Sequence, residues 1–470
     1  MKKLMITVLL LEGLASSGVQ MLAVRQSVGF VGASVLTMSI VVASFLLFLA
    51  LGYAHGGRKN QSDARKILAR NLTISIAILG GGFSYGFVEL FYGLLNQITR
   101  DMGSVLNNPL LHLGFFCTLI MGPLIYLLAQ TVPLALSEAR KSDTKGKSAG
   151  DATAISTLGN VAGCLITGLV LLYWFGAAMA IFINCLLLAT CLLILVSQSK
   201  QKNYAQGFVA VFVLAVTYEI NVGLSDHLFL SSNAYADSRV VPTDEGRMLI
   251  INRSPASFVK EADQSGWGYV EEIKKALFTN PQNQKYLVLG AGGFSLTAAD
   301  TKGALDVTYV DVDPDLKTVA EQSFLKRPLN GEFIVSDARA FLLKNPLPQW
   351  NGIVVDVFSN ASQIPIHLST TEFMQLVGSR LAPGGLAVLN VIADPTMTDD
   401  YSTRMDATIR NSFSRCVTDL VQGYGPKEAN ILYFCRSLPS AGKPTLLSSY
   451  SDDTIQSGID SYVASLRHKK

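Results

Sequence analysis

The strongest constraint on this chain is a series of long apolar runs within residues 1–222. They lie near 4–24, 30–54, 71–95, 109–136, 152–174 and 176–197, with a weaker seventh at 205–221 that ends in Tyr218-Glu219. An apolar helix of about 20 residues crosses the hydrocarbon core of a bilayer, and a helix satisfies its own backbone polar groups there. The runs therefore predict a multi-pass helical membrane domain. Leu4–Val24 follows Lys2-Lys3 as a signal peptide would, yet it has no small-residue cleavage site and further spans follow. It reads as a retained first helix.

Loop charge predicts an orientation. Lys2, Lys3, Arg58, Lys59, Arg65, Lys66, Arg70, Arg140, Lys141, Lys145, Lys147, Lys200 and Lys202 fall on one side, and only Arg25 and Arg100 on the other. The excess of Lys and Arg marks the cytoplasmic face, which puts the N-terminus there and the chain in the cell membrane. Six spans leave the remainder of the chain in the cytoplasm, the expected arrangement; a real seventh would place it in the periplasm or outside the cell. Cys117, Cys164, Cys185 and Cys191 lie in the apolar runs and read as small packing residues. Cys416 and Cys435 flank Gln422-Gly-Tyr-Gly-Pro426, a turn signal that sets them close to opposite each other in a hairpin. A disulfide there favours an oxidising compartment, and free thiols a cytosolic one.

From about residue 225 the composition is that of an ordinary α/β domain, although charged residues are only 16% of the whole chain. The expected division is a helical domain at 1–222, a small β-domain with a connecting helix at 223–283, and a Rossmann-like domain at 284–470. Strands are read at Tyr286–Gly290, Val307–Asp311, Glu332–Ser336, Gly352–Val357 and Leu386–Ile392, with helical stretches near 294–302, 315–325, 338–344 and 370–381. Such alternation argues for a parallel sheet with crossover helices.

Ligands of open α/β sheets bind beyond the carboxyl ends of the strands. The first strand runs into Gly290-Ala291-Gly292-Gly293, where absent side chains let backbone amides approach a ligand. The second ends in Asp311-Val312-Asp313, about 20 residues beyond the glycines, where a carboxylate accepts from both ribose hydroxyls. Asp337-Ala338 follows the third strand, placed to meet an adenine amino group, and Asp356 ends the fourth, facing the centre of the cleft. Each feature alone is weak, since a lone Asp is usually a helix cap. Together, on successive strand ends, they define a nucleoside site.

At these residues the sequence resembles the spermidine synthase (polyamine aminopropyltransferase) family, specifically its membrane-fused bacterial members. The resemblance rests on "SGWGYVEEI", "YLVLGAGG", "YVDVDPDL", "SDARAFL", "VVDVFSN", "IPIHLSTTEF" and "LAPGGLAVLNV", with "LEGLASSGVQMLAVR" and "TLGNVAGCLITG" in the apolar half. It implies a methyltransferase-like Rossmann sheet preceded by a small β-domain. It also implies a transferase that moves an aminopropyl group from decarboxylated S-adenosylmethionine to a diamine, putrescine to spermidine, releasing methylthioadenosine. Asp311 would then hold the ribose, Asp337 and Ala338 the adenine, and Asp356 would orient the amine and take its proton, assisted by Tyr269. Ser359 and His367 would lie in the acceptor region.

The sequence departs from the family pattern at four places. The family's acid after the third loop glycine is Gly293, its second acid after the fourth strand is Ser359, and two small-domain glutamines align with Ala236 and Ser257. Two alternatives follow: a methyltransferase using intact S-adenosylmethionine, or a nucleoside-sensing domain fused to a transporter of polyamines or other small molecules. The partners expected are an amine acceptor and the bilayer, with a homodimer left open. Net charge of +3 and the lack of a basic patch interleaved with aromatics speak against nucleic acid. Five scattered histidines and no Cys-x-x-Cys give no metal site. Glu12, Gln20, Glu89, Asn160, Asn184 and Glu219 are polar positions within the apolar runs, read either as a path for an amine or as inter-helix contacts.

Overall fold

The computed structural model describes residues 3–452, apart from 33, 59–63, 101, 103–105, 140–144, 198–203, 280–282, 348, 359–363, 426–427 and 437–448. The chain divides into two compact units, Met1–Tyr235 and Ala236–Lys470.

The first unit is helical: α1 (Lys3–Val31), α2 (Val35–Arg58), α3 (Ala64–Gly82), α4 (Tyr85–Thr99), α5 (Pro109–Phe116), α6 (Gly122–Ala129), α7 (Thr131–Ala139), α8 (Lys145–Ile166), α9 (Leu172–Ser197), α10 (Tyr204–Tyr218) and α11 (Leu224–Leu228), followed by a two-residue strand, β1 (Ser231–Ser232). π-helical turns at Cys117–Met121, Thr167–Leu171 and Glu219–Gly223 join consecutive helices without a stop. Among the described residues, five helices are long and apolar enough to cross a membrane by length and composition: Leu4–Val31, Val35–Arg58, Pro109–Ser137, Ala149–Ser197 and Phe208–Leu228. A sixth candidate is the pair α3 and α4, bent by 70°.

Glycines let these helices approach closely. A side chain at Gly159 or Gly163 of α8 would strike the Leu10 or Leu14 carbonyl of α1, and one at Gly13 would strike the Ser156 carbonyl. Small residues at helix interfaces let the backbones approach closely.

The second unit begins with antiparallel strands β2 (Asp237–Pro242), β3 (Gly246–Ile251) and β4 (Ser254–Lys260), then α12 (Gly268–Leu277). Next come β5 (Lys285–Leu289), β6 (Asp306–Asp311), α13 (Leu316–Val319), β7 (Glu332–Val335), α14 (Ala338–Lys344), β8 (Trp350–Val355), α15 (Thr371–Ser379), β9 (Leu381–Ala393), α16 (Asp400–Ser412), β10 (Arg415–Gly425) and β11 (Glu428–Arg436). The seven-stranded sheet runs β10-β11-β9-β8-β5-β6-β7. Strands β9, β8, β5, β6 and β7 are mutually parallel, and the β10–β11 hairpin is added antiparallel.

Burial on both faces explains the unbroken apolar runs of the inner strands. Leu287 and Leu289 of β5 face the core shared with α14 to α16, while Tyr286 and Val288 face the core shared with α12 and Phe324. The order reverses at β5, whose neighbours are β6 on one side and β8 on the other, the kind of switch point at which open α/β sheets bind ligands.

Two expectations need correction. The helix read at 294–302 is only a 3₁₀ turn at Ser295–Thr297, because Phe294 takes a left-handed conformation (φ 58°) that cannot begin an α-helix. The helix at 315–325 is α13 prolonged by a π turn at Ala320–Phe324. Cys416 and Cys435 are register partners on β10 and β11 and form a disulfide.

Candidate functional site

The site is assembled at the carboxyl ends of β5, β6, β7, β8 and β9. Gly290 turns the chain out of β5 at φ 90°, and a side chain there would collide with the Asp356 carbonyl, so the ends of β5 and β8 touch through bare backbone. The Asp356 amide donates to the Leu289 carbonyl at 2.9 Å. Gly292 is also left-handed, at φ 47°.

Asp311 organises the loop. Its Oδ2 accepts from the Ala291 amide at 2.8 Å and its Oδ1 from the Asp313 amide at 3.1 Å. Burial raises its carboxyl above the usual range, and these amides oppose the rise. A carboxylate offers about four lone-pair directions, so hydroxyl donors can still be accepted. Two residues further along the glycine loop, the Gly293 amide donates to Ser257 of β4 at 2.8 Å, tying the loop to the small sheet. A side chain at Gly293 would lie 2.4 Å from the fully buried Phe324 ring.

Asp337 caps α14 by accepting from the Ala340 amide at 2.9 Å through Oδ1, and its Oδ2 meets His367 Nε2 at 2.8 Å. Burial pushes this carboxyl up, but the His367 and Ala340 contacts outweigh it and leave it below the usual range. Arg339 donates to the His367 carbonyl and pairs with Asp452. His367 therefore hydrogen-bonds Asp337. Ser359 lies outside the described residues.

Asp356 occupies the switch point. The Tyr269 hydroxyl, on α12, donates to Oδ2 at 3.3 Å, and Asn390 Nδ2, on β9, donates to Oδ1 at 2.8 Å. Burial raises the Asp356 carboxyl, while the Asn390 and Tyr269 hydrogen bonds pull it down. Tyr269 is aligned by Trp267, 6.2 Å away centroid to centroid, which stacks in turn on Phe258 at 6.4 Å.

Asn390 was not singled out from the sequence; its signal is a single amide inside the apolar run "AVLNVIA" of β9. Asp394, beyond the same strand, was also missed. It accepts from the amides and hydroxyls of Thr396 and Thr398, which hold its carboxyl down to about 2. That is a loop-forming role.

Sheet order and acid-tipped strand ends define a Rossmann-like α/β domain. No family model matches the chain. It is similar to a polyamine aminopropyltransferase of Vibrio vulnificus, 29% identical over 150 residues, which are 31% of this chain and 48% of the relative. It is also similar to a probable polyamine aminopropyl transferase of Bifidobacterium longum, 28% identical over 116 residues and 25% of each chain. The chain thus spans about half the length of the first relative and a quarter of the second. Among solved structures, a probable spermidine synthase from Corynebacterium glutamicum shares 19% identity over 45% of this chain and 81% of its own, with a TM-score of 0.38. Over these segments the chain is similar to polyamine aminopropyltransferases.

Proposed function

We propose that this protein is a membrane-embedded aminopropyltransferase. It takes decarboxylated S-adenosylmethionine and an aliphatic diamine, and releases methylthioadenosine and a longer polyamine. The observation that carries the reading is Asp356, fixed by Tyr269 and Asn390 where β5 and β8 diverge and directly beside the glycine loop.

In this reading the adenosine lies across the strand ends, its ribose on Asp311 and its adenine at Asp337 and Ala338. The amine nitrogen attacks the carbon next to the sulfonium. The new N–C bond forms as the C–S bond breaks, its electron pair returns to sulfur, and the neutral thioether leaves. An amine is protonated at neutral pH, so a carboxylate that binds the ammonium and removes one proton meets both needs. The remaining rate gain comes from holding nitrogen and carbon in line. The apolar helices supply the membrane anchor, and the acceptor enters as a cation.

The test supplies purified protein with intact or decarboxylated donor and a panel of diamines, and identifies the nucleoside product by mass spectrometry. Methylthioadenosine formed only with the decarboxylated donor and an amine supports the proposal. S-adenosylhomocysteine would replace it with methyl transfer, and no product at all would remove the transferase reading.

A further inference from the structure

We infer that the unit carrying Asp356 works on the side of the membrane opposite the basic loops, in an oxidising compartment, and therefore draws its amine and its adenosyl donor from outside the cytoplasm. The inference rests on the proposal that the apolar helices span the bilayer, and it fixes which pool of substrate the same site meets.

The number of crossings follows from contacts within the helical unit. The 49-residue segment Ala149–Ser197 is interrupted at Gly176, whose backbone (φ 73°, ψ 178°) is not helical. Its two limbs run in opposite directions along α1. In the first limb, Gly159, Gly163 and Thr167 meet Leu10, Leu14 and Gly18 in turn, so α8 runs parallel to α1. In the second, Asn184 meets Gly18 and the Cys191 thiol donates to the Val8 carbonyl, so α9 runs back. At 1.5 Å per residue the limbs are roughly 40 and 33 Å long, each enough for a core of about 30 Å. The segment is a hairpin of two spans.

The last candidate, Phe208–Leu228, is a member of the same bundle. Thr217 fills the space above Gly80, Asn221 Nδ2 donates to the Gly80 carbonyl at 2.8 Å, and Tyr218 packs edge-on against Phe182 of α9 at 5.2 Å. The bent pair α3–α4 is settled by charge. The basic clusters at 58–70 and 140–147 share a side only if an even number of crossings separates them. The segment Pro109–Ser137 is one of these, so the pair must be the other, a single broken span.

Lys200 and Lys202 then share the basic side, and one crossing by Phe208–Leu228 delivers the second unit to the opposite face. An independent observation agrees: the disulfide Cys416–Cys435 lies in that unit, while the free cysteines, Cys117, Cys164, Cys185 and Cys191, all lie in the helical one. Disulfides persist outside the cytosol and are rare within it.

The test uses full-length Lys66→Cys and Lys302→Cys variants in right-side-out and inverted membrane vesicles, probed with a membrane-impermeant maleimide against a wild-type control. The expected result is labelling of the Lys302→Cys protein in right-side-out vesicles and of the Lys66→Cys protein only in inverted ones. Alkylation of wild-type protein should add two further labels after reduction, from Cys416 and Cys435. Labelling of both variants in inverted vesicles, with no change on reduction, overturns the inference while leaving the transferase reading intact. Release of the protein by alkaline carbonate overturns it through the membrane reading itself. Donor consumption in sealed right-side-out vesicles reports on the chemistry separately, since an outward site without turnover would sink only the aminopropyltransferase proposal.

Discussion

The Tyr269 hydroxyl donates to Asp356 at 3.3 Å while Asn390 holds the other carboxylate oxygen at 2.8 Å, so the central acid of the site is fixed from two directions, by α12 and by β9. Asp356→Asn keeps the shape and removes the base. It should lower kcat by about 100-fold to 10,000-fold, the range for a lost general base, with little change in methylthioadenosine affinity. Equal loss of binding and turnover, measured by calorimetry and product assay, would show that Asp356 holds the nucleoside instead.

Tyr269 and Asn390 also set the pH at which the base is ready. Burial raises Asp356, and the proton must be off before it can accept one, so the acid limb of kcat/KM should lie above the usual carboxylate value of about 3.9. The Tyr269 hydrogen bond lowers Asp356, so Tyr269→Phe should move that limb to still higher pH. A limb that moves downward in this variant would refute the assignment.

Much of this site was legible because strand ends in an open α/β sheet are fixed by a few apolar residues, and Asp311, Asp337 and Asp356 each follow such a run. The helix after the glycine loop was not, since Phe294 adopts a left-handed backbone that nothing in "GGFSL" announces. Asn390 was hidden for a different reason: its partner Asp356 is 34 residues away, and only the pairing of β8 with β9 brings them together. The contact of His367 with Asp337 was likewise not legible, because 30 residues separate them and the turn before α15 brings them together.

Crowding explains the glycine at position 293. Its amide is held by Ser257 and its α-carbon faces the buried Phe324 ring, so an acid cannot stand there without moving an aromatic. Gly293→Ala should cost about 1–3 kcal/mol from overpacking, and less in a Phe324→Leu background. Additive losses in thermal unfolding would mean that the ring is not what excludes the side chain.

His367 holds Oδ2 of Asp337, whose other oxygen is committed to capping α14, so in the proposed function it would compete there with the base of a bound nucleoside. His367→Ala should bind methylthioadenosine at least as tightly as the wild type. Weaker binding would instead make His367 a direct contact of the nucleoside.

Asp394 tests the scaffold independently of the chemistry. Four donors from Thr396 and Thr398 stabilise its ionised form and depress it from the usual carboxylate range to about 2. A depressed folded value stabilises the native state above the unfolded value, and the benefit disappears as pH falls through the folded one. Asp394→Asn should therefore cost about 2 kcal/mol at neutral pH, in line with lost hydrogen bonds to a charged group. Its penalty relative to the wild type should shrink between roughly pH 4 and pH 2. Denaturant unfolding at several pH values measures this directly. A penalty independent of pH would show that the loop is held by its shape rather than by the charge of Asp394.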